Sequence, residues 1–225
     1  MAGKLSIVAT PIGNLGDITF RALWNLKECD AIYAEDTRVT LKLLNHYGVR
    51  KPIFRLDAAT EGKKTGEVIE RLEKGEHIAY VTDAGTPGVS DPGARLVARV
   101  RTELPDVKID AVPGPSALTA ALSIAGVSAD EFIFFGFLPH KKGRQTALKE
   151  VAKSKVPVVL YESPHRIVKL LQELEVVAPK RTVTLARELT KIHEEVLAGI
   201  PSQLVRILKE NHKDRGEFVV IISAK

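Results

Sequence analysis

A chain of 225 residues, 44% hydrophobic and 27% charged, carries enough apolar material for one large domain or two small ones, which excludes a disordered segment or a peptide-sized module. The single cysteine, Cys29, excludes an internal disulfide. With no N-terminal apolar signal run and no apolar span of roughly 18 residues, the expectation is a soluble cytoplasmic protein without membrane attachment. The net charge of +5 is unevenly spread: residues 1–113 carry 16 basic and 16 acidic groups, and residues 114–225 carry 17 against 12.

Along the first half, short apolar runs alternate with helical patterns. LSIVAT (5–10), AIYAED (31–36), PIFRLD (52–57), HIAYVTD (77–83) and KIDAVP (108–113) read as strands suited to a sheet covered on both faces. The stretches beginning at Thr19, Arg38, Lys63 and Asp91 have helical spacing, with Leu96, Val97 and Val100 on one side of the last. Such alternation predicts an open, largely parallel α/β sheet. A small-residue helix then follows in PGPSALTAALSIAG, to about Gly126.

Beyond it the alternation resumes in a different flavour. FIFFGFL (132–138), VPVVLYE (156–162), TVTLARE (182–188), EEVLAG (194–199) and EFVVIIS (217–223) are strand-like. HRIVKLLQELE sets Ile167, Leu170, Leu171 and Leu174 at helical spacing, and PSQLVRILKENH opens with proline at a helix N-terminus. The fold class expected is therefore two α/β domains, residues 1–115 and 116–225, joined without a low-complexity linker and sharing an interface and a cleft.

The familiar nucleotide signatures are missing. TPIGNLGD after the first strand supplies Gly13 and Gly16 but no G-x-G-x-x-G, and no G-x-x-x-x-G-K-[ST] occurs anywhere. GVSDPG resembles a nucleophile elbow at Ser90, but Pro92 stands where the second glycine belongs. His46, His77, His140, His165, His193, His212 and Cys29 show no paired ligand spacing, so no metal is expected.

What stands out instead is four Gly/Pro/Asp-rich loops placed just after strands: TPIGNLGD, EDTR, TDAGTPGVSDPG and VPGPSA. Ligands of open α/β sheets bind beyond the carboxyl ends of strands, where glycine lets the backbone approach closely. Ordinary turn chemistry accounts for Gly48 and Gly75, but four such loops exceed what chain reversal requires. A second feature is the basic run 139–155, PHKKGRQTALKEVAKSK, which opposes six Lys and Arg to one Glu. It is either a phosphate-facing surface or a solvated helix face.

Thr10–Asp17 (TPIGNLGD), Glu35–Arg38 (EDTR), Asp83–Gly93 (DAGTPGVSDPG), Pro113–Ala117 (PGPSA), Phe134–Pro139 (FFGFLP), Tyr161–Arg166 (YESPHR) and Arg187–Lys191 (RELTK) together resemble the tetrapyrrole methylase superfamily, the class III methyltransferases. Within it the likeness is to the branch that 2′-O-methylates a cytidine in the decoding region of small-subunit (16S) ribosomal RNA, and it runs from about residue 5 to the C-terminus. The resemblance implies S-adenosylmethionine held in the cleft between two α/β domains, a homodimer, and an rRNA substrate presented within the 30S subunit. Carried over by position, it implies cofactor contacts at Pro11 and Ile12, at Asp83, Gly85, Thr86 and Val89, and at Ser116 and Ala117, with Tyr161, Ala186 and Glu217 closing from the second domain. The RNA-facing set is Lys141, Lys142 and Arg144 of the basic run, with His165 and Arg166.

A ribose hydroxyl is a poor nucleophile at neutral pH, so a base within hydrogen-bond reach is expected to take its proton. Glu35 and Asp36 are the first candidates, and strand alternation lets only one of them face the cleft. Arg38 is positioned for a phosphate. A helix-start cluster would explain the same trio, because acids at a helix N-terminus are stabilising in any case. Glu162, His165 and Glu188 are held in reserve. Two other readings stay open: a methyltransferase acting on a tetrapyrrole, which needs no phosphate-neutralising surface, and a non-catalytic RNA-binding assembly protein of the same fold.

Overall fold

Five short apolar runs pair side by side to form the first sheet: β1 (Lys4–Val8), β2 (Ala31–Ala34), β3 (Ile53–Arg55), β4 (His77–Val81) and β5 (Lys108–Val112). The computed structural model describes residues 3–225, and the chain divides into two units, Met1–Ser116 and Ala117–Lys225. In the first unit every pairing is parallel, in the order β3-β2-β4-β1-β5.

Period-two alternation sends each strand's side chains to both faces, and both are covered. Ile32 and Ala34 of β2 meet Ala22 and Leu26 of α1 (Phe20–Glu28) and Leu44 of α2 (Thr37–His46) in one core cluster. Ala31 and Tyr33 belong to the other, with Val68 and Leu72 of α3 (Glu61–Glu73) and Leu96 and Val100 of α4 (Ala94–Glu103). The chain lays down β1, β2 and β3 first, and β4 then enters between β2 and β1. The ends of β1, β2 and β4 therefore stand side by side on one edge.

The helix starts are fixed by different donors and acceptors. The Thr19 hydroxyl accepts from the Ala22 amide at 3.0 Å, and the Asp36 carboxylate from the Arg38 amide at 2.8 Å. α4 has no side chain at its cap, because Gly93 occupies that position at φ +117°. The buried Glu61 of α3 reaches across instead, and its Oε1 accepts from the amides of Gly93 at 3.2 Å and Leu96 at 3.1 Å. The turn through SDPG thus delays the helix expected from Asp91 to Ala94.

The second unit carries α5 (Ala117–Ile124), α6 (Arg144–Lys153), α7 (Ile167–Val177) and α8 (Pro201–Glu210) with β6 (Ile133–Phe137), β7 (Val158–Glu162), β8 (Val183–Arg187), β9 (Glu195–Gly199) and β10 (Phe218–Ile222). Its order is β6-β7-β10-β8-β9; only β6 and β7 run parallel, and the other three pairings are antiparallel. The basic run resolves into a loop followed by α6, whose buried stripe is Arg144, Leu148 and Val151. Among the described residues no helix is long and apolar enough to cross a membrane.

A Cβ on Gly93 would lie 2.6 Å from Cε1 of the buried Tyr80 ring, at a φ that L side chains rarely adopt. Gly93→Ala should therefore lower unfolding stability by about 2 kcal/mol or more, from strain and overpacking together. Urea denaturation checks this, and an unchanged midpoint would mean that the SDPG turn yields more easily than its packing suggests.

Candidate active site

The loops after β1 and β4 are stitched together by a two-bond antiparallel bridge. The Thr10 amide donates to the Gly85 carbonyl at 2.9 Å, and the Gly85 amide to the Thr10 carbonyl at 3.0 Å. Gly85 takes φ +81°, and a Cβ there would sit 3.3 Å from Cγ2 of Ile12 and 3.6 Å from the Pro115 carbonyl. The Thr86 hydroxyl donates to that same carbonyl at 3.2 Å. Three of the four glycine-rich loops are thereby fixed against one another. Gly85 contributes shape to this arrangement; its own amide and carbonyl are engaged by Thr10.

Beside the bridge lies a cavity of about 310 Å³. Thr10, Pro11 and Ile12 line it from the loop after β1, Thr82, Asp83 and Ala84 from the loop after β4, and Val39, Lys42 and Leu43 from α2. The lining is largely apolar, with the exposed Asp83 carboxylate as its anionic group. Val89 and Ser116, also expected at the cofactor, are half-buried in the neighbouring loops.

Glu35 and Asp36 follow β2 directly, and the structure separates them. Asp36 caps α2, and its carboxylate accepts from Arg38 at Nε (3.0 Å) and at Nη2 (2.5 Å). These bonds from Arg38 hold the Asp36 carboxyl far below the usual range. Paired in this way, the Asp36 carboxylate is occupied by Arg38 and by the start of α2. Arg38 keeps an exposed side chain, 87% accessible, while paired to Asp36. Glu35 is the opposite case. Burial raises its pKa, and the nearby charges of Asp83 and Asp91 raise it further. Burial also raises Asp83 and Asp91. Asp83 ties the group together, because its Oδ1 accepts the Asp36 amide at 2.9 Å.

In the second unit, Tyr161 on β7 is half-buried, its ring 5.0 Å from that of Phe134 and 5.7 Å from that of Phe137. Ala186 is a buried β8 residue paired with Val219 and Val196, and Ala117 opens α5. Glu217 has a side chain 78% exposed and bound to Lys191 at 2.8 Å. Its amide and carbonyl are both bonded to Glu188, at 2.9 Å each. Burial works against the Glu188 carboxylate, but Lys191 at 2.8 Å and the Glu217 amide outweigh it and hold the group below the usual range. Glu188 is thus a poor base, and Glu162, with a side chain 0% exposed, is out of reach of a substrate hydroxyl.

The RNA-facing set also divides. Lys141, Lys142 and His165 are exposed. Arg144 is corrected: it is 4% exposed, its guanidinium meets Glu173 at 2.5–3.0 Å, and it donates to the Pro139 carbonyl at 3.2 Å. Arg166 is half-buried and donates to the Leu138 carbonyl at 2.6 Å. A signal for Arg144 existed, since it begins the i, i+4, i+7 stripe completed by Leu148 and Val151. Asp91 was missed, and nothing in the spacing of SDPG announces a carboxylate desolvated near Glu35. Among the described residues no three His, Cys, Asp or Glu side chains are grouped to hold a metal ion.

A parallel sheet whose carboxyl edge gathers glycine loops and desolvated carboxylates, in a chain with a second, mixed sheet, is the fold of a class of group-transferring enzymes. It is similar to the solved structure of cobalt precorrin-4 methyltransferase, with a TM-score of 0.70 at 19% identity over 97% of this chain and 94% of that one. The chain belongs to the tetrapyrrole (corrin/porphyrin) methylase family, whose pattern matches residues 4–221, and is a methyltransferase. It is 44% identical over 223 residues to the ribosomal RNA small subunit methyltransferase I of Thermotoga maritima, covering 99% of each chain. The protein of that name from Pasteurella multocida is 43% identical over 228 residues, covering 100% of this chain and 80% of its own.

Because the folded state raises the Glu35 pKa, its ionised form opposes folding. The sign follows: stability is greatest below the ordinary glutamate value and falls as pH rises through the folded value. Glu35→Gln should accordingly be more stable than the parent at pH 7, with the gain vanishing on acidification below about pH 4, where the parent carboxyl is protonated in both states. Denaturant midpoints across pH check this, and a gain that persists at low pH would point to packing rather than charge.

Proposed function

We propose that the protein transfers a methyl group from S-adenosylmethionine to the ribose 2′-hydroxyl of a cytidine in the decoding region of 16S rRNA. The carrying observation for the chemistry is Glu35, a carboxylate kept receptive to protons at the carboxyl edge of the first sheet. The choice of RNA follows the match, over 99–100% of this chain, to relatives named for small-subunit rRNA. In the same reading the substrate is presented by the 30S subunit, the working form is a homodimer, and the location is cytoplasmic.

The residues present fit S-adenosylmethionine. A largely apolar cavity suits an adenosine, and the exposed Asp83 carboxylate suits a sulfonium or ammonium cation. In the first unit Pro11, Ile12 and Asp83 line the cavity and would hold it, with Thr86, Val89 and Ser116 joining from the neighbouring loops and the turn at Gly85 shaping the wall. Bound there, it supplies an electrophilic methyl group. The chain's own part is to orient the hydroxyl and accept its proton, and holding the reacting atoms at near-attack distance gives most of the acceleration. Glu35 accepts the proton as the oxygen forms its new bond and later releases it to water. Burial first, and the charge of Asp91 after it, keep Glu35 basic enough for that step when Asp83 faces the cofactor's cation. The exposed Arg38, Lys141, Lys142 and His165 offer partners to RNA phosphates.

Incubation with labelled S-adenosylmethionine and purified 30S subunits, followed by nucleoside mapping, should place the label on a ribose. Label on a base, or transfer to a tetrapyrrole and not to RNA, would refute the reading. Glu35→Gln should lower the single-turnover rate about 10²-fold with RNA and cofactor binding nearly intact, the usual worth of a general base. Asp36→Asn should retain most of the rate. The parent rate should rise with pH along a limb centred above the ordinary glutamate value, and that limb should be absent in Glu35→Gln. Full activity in Glu35→Gln would leave positioning alone as the source of rate.

A further inference from the structure

Between the end of β6 and the start of α6 runs the loop Leu138–Gly143, which carries Lys141 and Lys142 into solvent. Two arginines, one opening α6 and one beyond β7, grip its backbone. Arg166, beyond the end of β7, donates to the Leu138 carbonyl at 2.6 Å and meets His140 Nε2 at 3.1 Å. Arg144 donates to the Pro139 carbonyl at 3.2 Å, and its own amide to the Lys141 carbonyl at 3.2 Å. Both arginines converge on Glu162, the last residue of β7. Its Oε1 lies 3.2 Å from Arg166 Nε and also accepts the Ser163 amide at 2.9 Å. Its Oε2 has no hydrogen bond and lies 4.0 Å from Arg144 Nη2. Glu173 completes the group with its bidentate contact to Arg144.

We propose that Glu162, Arg144 and Arg166 form a clasp that positions Lys141 and Lys142 for RNA phosphate; the assignment rests on the RNA reading of the preceding section. A carboxylate with no solvent exposure is costly to keep unless bonded, and an apolar residue there would serve packing as well. What an apolar residue cannot do is fix two guanidinium forks in the orientation that holds consecutive carbonyls. The charges inside the clasp cancel, two arginines against Glu162 and Glu173, so the loop's outward charge resides in its lysines. Neither lysine has an ion pair or hydrogen bond through its side chain among the described residues. A mobile loop would bring the same charge at a larger ordering cost on binding, whereas a held loop has been ordered in folding.

The test uses the full chain with R166K, E162Q and K141A/K142A. R166K preserves charge but loses the planar fork, so it should fold and still release the loop. In R166K and E162Q, trypsin should cut after Lys141 or Lys142 about tenfold faster than in the parent, reporting local opening without any RNA present. The KM for 30S subunits should rise about tenfold with kcat little changed, a loss of binding energy shared by ground and transition states. R166K should keep the parent's salt slope, while K141A/K142A should reduce it by about two units. A folded R166K with unchanged cleavage overturns the clasp, and faster cleavage with unchanged KM overturns its role in positioning. An unchanged slope in K141A/K142A overturns the RNA reading of the loop and this assignment with it, and the cleavage rates tell the two failures apart.

Discussion

The site depends on β4 entering the first sheet between β1 and β2, because parallel neighbours can only be reached by crossovers and the order of crossovers decides which loops meet. β1 leads to α1 and β2 to α2 on one face, while β4 leads to α4 on the other. Adjacent strand ends therefore send their chains to opposite faces, and a crevice is left between them. The bridge from Thr10 to Gly85 then fixes the crevice's rim. Without the left-handed turn at Gly85, the loop after β4 could not return to pair with the loop after β1 while clearing Ile12. The carboxylates inherit their places from this arrangement, Glu35 from the end of β2 and Asp83 from the end of β4.

Three carboxylates at the first sheet's edge differ from the ion-paired acids found in both units. At the first sheet's edge partial burial raises Glu35, Asp83 and Asp91, the charge of Asp83 raises Glu35 and Asp91 further, and Arg38 offsets only part of the shift at Asp83. That arrangement opposes folding and is tolerated because the apolar clusters on both sheet faces supply the stability. Elsewhere acids are paired: Asp36 with Arg38 and Asp57 with Arg55 in the first unit, Glu188 with Lys191, Glu173 with Arg144 and Glu162 with Arg166 in the second. Paired carboxylates make good fasteners and poor bases. Perturbation toward the neutral form is what marks the first group as chemically poised.

Much of the architecture was legible because short apolar, β-branched runs bounded by turn residues recur along the chain, and runs as short as AIYA or FVVII are too short for a helix of ordinary length. The strand order was not legible: β10 lies between β7 and β8, a pairing across the chain that no local pattern encodes. α6 was obscured because its basic residues read first as charge and only second as a helix with a buried stripe. At the site, the sequence brought Glu35 and Asp36 forward together and could not part them. Which one is ion-paired depends on where Arg38 folds back, a rotamer outcome with no signature in the letters EDTR.

The basic run carries a wider point about reading charge from sequence. Counting Lys and Arg together treats them as equal contributors to a phosphate-binding face, yet in this unit they divide by chemistry. Arg144 and Arg166 lie wholly or partly inside, because a planar guanidinium can satisfy a carboxylate and a backbone carbonyl at once. Lys141 and Lys142 remain outside, where a compact and strongly hydrated ammonium is best solvated. The field that RNA would meet is therefore weaker than the sequence count suggests but better aimed. Its charge resides in the lysines and its direction in the arginines, and the buried Glu162 links the two because it anchors the guanidinium that holds the loop's first carbonyl.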